Sequence, residues 1–321
     1  MKDRDLLPRT GAFYKANLHC HTVLSDGKLT KEQIKEEYIK RGYSVVAFTD
    51  HRHYGWHPEL MDENFIPLAG YEADLNDWFK EPNSFRHVKC YHILLWDKNP
   101  FDRSKDYKAQ QPPRRYGDIH SLNEYLETMQ QQGFLTCYNH PWWSLQSYED
   151  YAQLSHLNAM EIYNHGCEHD GLYGYAPQAY DDLLRKGLRL GCIATDDNHN
   201  GHPMDHPLSD SFGGWIMLKM EALSYKNVVE ALEKGNYYAS TGPELQEVYI
   251  KDDIVYVKCS PVKKIYIATD SRNCYHKVAM PNEYLTEASF PLKGNEGYIR
   301  VDCEDEYRRH AYSNAYFLDM L

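Results

Sequence analysis

The stretch FYKANLHCHT, residues 13–22, joins an apolar segment to two closely spaced histidines. The apolar part predicts a β-strand that runs into His19 and His21. Side chains two residues apart on an extended chain point to the same side, so both imidazoles can reach one metal ion. Asp197 and His199 repeat this spacing after another apolar segment. The two pairs predict a metal site built at the ends of strands.

The sequence around these pairs repeats one order of predicted elements, a helix followed by a strand. Helix-like segments that end in glycine precede short apolar segments, as in residues 30–41, Gly42 and residues 43–48, and glycine just past a helix tolerates the left-handed conformation that ends it. Seven predicted strands end near a histidine, aspartate or glutamate: residues 13–18, 44–48, 65–70, 88–91, 134–138, 159–163 and 188–194. This alternation predicts an α/β fold with a parallel, doubly covered sheet, whose site lies where the carboxyl ends of the strands meet.

The sequence changes character near residues 241–243, TGP. Fifteen of the 17 histidines lie before residue 207. The later part has five short strand-like segments with turn signals between them: residues 245–250, 254–259, 264–268, 298–303 and 315–318. We therefore predict a large α/β domain over residues 1–242 and a small antiparallel β-sandwich over residues 243–321. Residues 97–117 predict a long surface loop.

Charge and composition restrict the possible partners. The chain of 321 residues has 35 Lys and Arg against 47 Asp and Glu, a net charge of -12, so no duplex nucleic acid is expected as a partner. No apolar run is long enough to span a bilayer, and residues 1–5 lack the apolar part of a signal peptide. The eight cysteines have no CxxC spacing and fit buried residues of a reducing compartment. These features predict a cytoplasmic protein with no membrane partner, and they leave its oligomeric state open.

The histidine pairs belong to a longer series of motifs that resembles the polymerase-and-histidinol-phosphatase (PHP) superfamily. The motifs occur in this order: NLHCHT at 17–22, SDG at 25–27, TDH at 49–51, GYE at 70–72, HIL at 92–94, NHP at 139–141 and TDDNH at 195–199. The resemblance covers about residues 12–242. The tail, through YYASTGP at 237–243 and residues 314–318, resembles the β-sandwich of a branch that includes enzymes similar to carbaryl hydrolase.

The resemblance implies a distorted (β/α)7 barrel that holds two or three divalent metal ions. The implied ligands are His19, His21, Asp26, His51, Glu72, His92, His140, Asp197 and His199. Glu72 would bridge two ions, because a carboxylate has two oxygens and a neutral imidazole cannot bridge. One ion would be completed by His19, His21 and Asp197, the second by His92 and His140, and the third by His51, His199 and Asp26. Imidazole with carboxylate favours Zn, Mn or Fe, and Asp26, which is histidine in many relatives, suggests a weaker or harder third ion.

Three further residues are candidates for catalysis. His165 follows the sixth strand at the same rim, where it could touch the substrate or protonate the leaving group. Asp196 adjoins an implied ligand, with a structural cap or a ligand-orienting group as the alternative. Arg52 could bind an anion, with simple surface exposure as the alternative. Trp142 and Trp143 could form a pocket wall or pack in the core, and Glu161 and Lys219 are expected only to satisfy the core.

Together with this resemblance, the residues predict a metal-dependent phosphoesterase. We expect it to hydrolyse a small phosphate ester by attack of a metal-bridging hydroxide, since paired ions lower the pKa of water and neutralise phosphoryl oxygens. A carbamate or carboxyl ester hydrolase on the same metal site is the alternative, and 28 tyrosines and six tryptophans could line its apolar pocket. A non-catalytic metal-binding domain is a third possibility. The presence of a suitable residue at all nine ligand positions argues against it.

Overall fold

The computed structural model describes residues 3–81, 84–102, 110–113 and 115–320. The helices are α1 Lys31–Lys40, α2 Ile119–Gln131, α3 Tyr148–Tyr151, α4 His165–His169, α5 Pro177–Arg185 and α6 Tyr225–Lys234, with 3-10 turns at Pro58–Leu60 and Leu318–Met320. The strands are β1 Arg4–Asp5, β2 Ala12–Asn17, β3 Tyr43–Phe48, β4 Ile66–Glu81, β5 Ser84–Asp97, β6 Phe134–Tyr138, β7 Ala159–Asn164, β8 Gly191–Thr195, β9 Trp215–Met220, β10 Tyr237–Ser240, β11 Leu245–Lys251, β12 Ile254–Val262, β13 Lys264–Thr269, β14 Tyr275–Val278, β15 Leu285–Pro291, β16 Tyr298–Glu304, β17 His310–Ser313 and β18 Tyr316–Phe317.

The α/β class is confirmed, but the large sheet is mixed rather than parallel. Strands β2, β3 and β4 pair in parallel, as do β6, β7 and β8, whereas β4, β5 and β6 pair antiparallel. Each of the seven predicted strands overlaps an observed one. The expected alternation of strand and helix fails between β4 and β5, which form a long hairpin. An antiparallel pair needs only a short turn, whereas a parallel pair needs a crossover.

The predicted barrel is not closed by a ladder of hydrogen bonds. In the described residues, the sheet runs from β9 and β2 through β3 to β8, and no ladder returns from β8 to the other side. A single parallel bridge between Cys20 and Asn198 joins the segments that follow β2 and β8. There the backbone N–H of His21 donates to Asn198 O at 3.1 Å, and that of Asp197 donates to His19 O at 3.0 Å. The two predicted ligand pairs are thereby held side by side.

Helices cover the sheet through apolar faces of helical spacing. In α2 the buried residues are Leu122, Leu126 and Met129, which recur every three or four positions and pack into the main core. In α1, Thr30 and Gln33 form a capping box that satisfies the first turn. The predicted long loop has no helix or strand in residues 98–102, 110–113 and 115–117, and its remainder lies outside the described residues.

The tail has the expected antiparallel strands in two sheets. Strands β1, β11, β12 and β15 form one sheet, while β14, β13, β16 and β17 extend the large sheet through β10. Apolar residues of both sheets, such as Val257 and Val301, share one core. The boundary expected at residue 242 falls between β10 and β11. Hydrogen-bonded ladders nevertheless cross it, because β17 pairs with β10 and the N-terminal β1 pairs with β11.

Side chains also connect the tail to the α/β part. Arg300, in β16 and 5% exposed, donates two hydrogen bonds of 2.7 Å to Asp181 in α5. The side chain of Asn314 accepts from the backbone N–H of Cys192 in β8 and donates to Tyr237 O. None of the described helices is both long and apolar enough to cross a membrane.

Candidate metal centre

The nine implied ligands lie in one connected cluster. Four come from the bridged segments after β2 and β8, and they are His19, His21, Asp197 and His199. Glu72 and His92 lie within the β4–β5 hairpin rather than after its strands, while His51 and His140 follow β3 and β6. Asp26 lies on the loop before α1. The hairpin accounts for the difference, because its strands continue past the edge at which their neighbours end.

Glu72 is at the centre of this cluster and is 1% exposed. Its Oε1 lies 3.1 Å from His92 Nδ1, 3.3 Å from His19 Nε2 and 3.6 Å from His140 Nε2. Its Oε2 lies 3.0 Å from His51 Nδ1 and 3.5 Å from His21 Nε2. The two oxygens therefore face different sets of imidazoles, as a carboxylate between two ions would.

Asp197 faces the first histidine pair. Its Oδ1 lies 3.1 Å from His19 Nε2 and 3.0 Å from His21 Nε2, and its Oδ2 accepts a hydrogen bond of 3.0 Å from Asn164 Nδ2. The residue has a φ of 52°, a left-handed backbone uncommon outside glycine. Such conformations are kept where the surroundings enforce them, often at functional sites.

Asp26 lies at the outer side of the cluster, half exposed. Its carboxylate is 3.4 Å from His199 Nε2 and 3.7 Å from both His21 Nδ1 and His51 Nε2. Its pKa falls because these imidazoles, His199 first, outweigh the opposing effect of burial. The three expected ligand sets are not separate in the structure. His21, Glu72 and His51 each belong to two of the compact donor groups, which are His21–Asp26–His51–His199, His19–His21–Glu72 and His51–Glu72–His92.

The ligand atoms of this cluster are better placed to bind divalent ions than to form hydrogen bonds with one another. Asp197 Oδ1 and His51 Nδ1 are buried and make no well-aligned hydrogen bond, although ring or carboxylate atoms lie within 3.1 Å. Burial alone would raise the pKa of Glu72, but the facing His92, His19 and His51 rings hold it well below its usual range. Converging carboxylate and imidazole atoms, of which these two buried ones have no hydrogen bond, are a suitable donor set for Zn, Mn or Fe.

Glu161 was expected only to satisfy the core, but it orients two of these ligands. Its Oε1 lies 2.7 Å from His19 Nδ1, so this nitrogen carries the proton and His19 Nε2 keeps its lone pair for a metal. Its Oε2 accepts from the backbone N–H of His140 at 3.0 Å and from Asn164 Nδ2 at 2.9 Å. An acidic residue inside the buried strand β7 was the only signal in the sequence.

We expect Glu161→Gln to weaken metal binding by about 10–100-fold, the usual effect of losing a group that orients a ligand. The amide keeps the size of the side chain but can present its NH2 group to His19, which disfavours the tautomer that binds metal. Competition with a chelating dye measures the affinity. Thr136→Val, a buried change on the neighbouring strand β6, is the control, and an unchanged affinity in Glu161→Gln would contradict the assigned role.

The cluster opens into a cavity of about 410 Å³. Besides the implied ligands other than His19 and His21, its walls include Trp143, Cys167, His169, Asp170, Asp210, His202 and Leu208. Trp143 thus forms a wall, and its Nε1 donates to Asp170 Oδ2 at 3.1 Å. His169 and His202 were not singled out from the sequence, since no strand-end pattern includes them. In the described part of the chain, no lysine or arginine lines this cavity.

The three other catalytic candidates lie outside the cavity walls. The carboxylate of Asp196 accepts from the backbone N–H groups of residues 212–214 and from Tyr38 OH, which favours the structural alternative. Arg52 is bound to Asp74 through two hydrogen bonds and is exposed, so its expected anion binding finds no support. His165 is partly buried behind the wall, next to His169.

Two solved structures are similar to this chain. A two-domain protein from Bacteroides vulgatus that contains a predicted PHP-like metal-dependent phosphoesterase aligns with a TM-score of 0.47 and 15% identity, over 99% of this chain and 98% of that chain. A candidate metal-dependent phosphoesterase from Bifidobacterium adolescentis aligns with a TM-score of 0.41 and 17% identity, over 68% of this chain and 96% of that chain. Comparison with protein-family models and with curated proteins finds no match. The resemblance of the tail to carbaryl-hydrolase-like proteins stays a prediction.

Proposed function

We propose that the protein is a metal-dependent hydrolase of a small phosphate ester. The observation that carries this proposal is the buried Glu72, whose two oxygens face different sets of imidazole nitrogens at 3.0 to 3.6 Å. This geometry suits two ions that share one carboxylate. We further propose that residues 1–242 are the catalytic unit, in the manner of a distorted barrel, and that residues 243–321 are a β-sandwich that supports it.

The nine implied ligands would form three sets, one for each ion. His19, His21 and Asp197 would hold one ion with Glu72, and His92 and His140 a second. Asp26, His51 and His199 would hold a third. Bound divalent ions supply electrostatic stabilisation of the phosphoryl oxygens and activate water at neutral pH.

The volume of the cavity supports a small substrate. A volume of about 410 Å³ suits a small molecule. Because the described walls carry no lysine or arginine, the charge of a phosphate would be balanced by the ions and the histidines. The same lack of cationic side chains, together with the apolar Trp143 and Leu208 in the wall, favours a second candidate, the hydrolysis of a carbamate or carboxyl ester.

A substrate panel decides between the two candidates. Protein loaded separately with Zn, Mn or Fe is assayed against a phosphomonoester, a phosphodiester, a carbamate and a carboxyl ester, with Glu72→Ala as the control. We expect turnover of a phosphate ester that the control lacks. Turnover of the carbamate or carboxyl ester alone would contradict the phosphoesterase proposal and support the second candidate.

A further inference from the structure

A line of three side chains leads from the interior to the cavity wall. Tyr163 OH lies 2.8 Å from His165 Nδ1, and His165 Nε2 lies 3.3 Å from His169 Nε2. Tyr163 is the penultimate residue of strand β7. His165 and His169 are four residues apart in α4, a spacing that places side chains on one face of a helix. His169 alone of the three lines the cavity, which is also lined by Glu72 and six other implied ligands.

The middle of this line is held firmly in place. A side-chain carbon at Gly213 would lie 2.2 Å from the ring of His165, so this position accepts only glycine while the ring stays there. Burial, and then the neighbouring His169, lower the pKa of His165 to about 4. His165 is therefore neutral at neutral pH, with one ring nitrogen that donates and one that accepts. Burial also raises the pKa of Tyr163, which stays protonated.

The hydrogen bonds along the line can accommodate a protonated His169. His169 Nε2–H then donates to His165 Nε2, and His165 Nδ1–H donates to the oxygen of Tyr163. This leaves Nδ1–H of His169 as the remaining donor of the ring, and no hydrogen bond is recorded for that nitrogen within the described residues. A cationic imidazole fixed at one nitrogen and free at the other is arranged to give a proton to a molecule in the cavity.

We propose, on the basis of the phosphoesterase function above, that His169 is the catalytic acid that protonates the leaving oxygen. The bond between phosphorus and this oxygen breaks with its electron pair on oxygen, which takes the proton from His169 Nδ1. The oxygen of water forms the new bond to phosphorus, and the proton that water loses returns to His169 through solvent. His165 and Tyr163 are positioning residues that hold the ring of the acid. The role that the sequence suggested for His165 thereby moves to its neighbour in α4.

The dependence on the leaving group tests this assignment. Phenyl phosphate releases a basic phenolate that needs a proton, whereas 2,4-dinitrophenyl phosphate releases an anion that is stable without one. We expect His169→Gln to lower kcat on phenyl phosphate by about 100-fold, the scale of a lost general acid, and to leave kcat on the dinitrophenyl ester nearly unchanged. Tyr163→Phe is expected to give a smaller loss with the same dependence on the ester.

A matched control separates this role from a general disturbance of the cavity. His202 also lines the cavity, but its ring only stacks on the exposed His206, with ring centroids 4.6 Å apart. His202→Gln is expected to change kcat on both esters by the same factor. Equal losses on the two esters in His169→Gln, with an active wild type, would overturn the assignment of His169 and leave the phosphoesterase proposal intact. A metal-loaded wild type that hydrolyses neither of these esters would overturn the assignment, and one that also fails on the phosphodiester of the panel would overturn the proposed function with it.

Discussion

Glu72→Ala is expected to lower kcat by about a thousandfold on whichever ester the wild type hydrolyses, the upper range for removal of one electrostatic group. The loss is large because both carboxylate oxygens are used. Oε1 faces His92, His19 and His140, and Oε2 faces His51, so the change separates the donor sets on either side. Steady-state kinetics after metal loading measures the effect, and circular dichroism verifies that the variant is folded.

Asp26→Ala is the matched comparison for this variant. Asp26 is also an implied ligand, but it is half exposed and lies 3.4 to 3.7 Å from its imidazole neighbours at the outer side of the cluster. We expect a clearly smaller loss of kcat, since the pair of ions about Glu72 keeps its other donors. Equal losses, or a larger loss in Asp26→Ala, would show that Glu72 is not the shared ligand.

Arg300→Ala is expected to lower the free energy of unfolding by about 3–5 kcal/mol, because it leaves the Asp181 carboxylate without its partner in a largely buried position. Asp181 lies in α5, and Arg300 lies in β16 of the tail. The pair therefore connects the two predicted domains, with two hydrogen bonds of 2.7 Å. Urea denaturation, followed by fluorescence and circular dichroism, measures the change.

An exposed ion pair between the same two parts of the chain provides the control. Arg189, before β8, pairs with Asp319 at the end of the tail, and both side chains are largely exposed. Arg189→Ala is expected to cost less than about 1 kcal/mol, as surface pairs do. If Arg300→Ala also cost less than about 1 kcal/mol, the buried pair would not couple the tail to the α/β part.

Several ligands of the candidate site could be predicted from local patterns in the sequence. The pairs His19–His21 and Asp197–His199 each show two side chains on the same side of a strand end. The bridge between Cys20 and Asn198 holds the two pairs side by side. The tail strands β11, β12, β13 and β16 likewise follow from alternation between turn signals, and they occur near the predicted bounds. These features depend on a few neighbouring residues, which is why they could be predicted.

Features that depend on distant partners could not be predicted in this way. Apolar segments at 65–70 and 88–91 look alike whether a helix or a hairpin joins them, so the β4–β5 hairpin was missed. Glu161 acquires its role from His19 and His140, and His19 is 142 residues away in sequence. The crossing of the expected domain boundary by β17 and β10 also depends on pairing across 73 positions, as in Tyr312 with Ala239.

The metal content of the protein tests the central claim most directly. Gently purified wild type, reconstituted with Zn, Mn or Fe and dialysed, is analysed by elemental mass spectrometry beside Glu72→Ala. The nine converging residues lead us to expect about two to three metal ions per wild-type chain, as in multi-metal hydrolases, and fewer in the variant. Less than about one ion per wild-type chain with every metal would contradict the claim that these side chains form a shared metal centre.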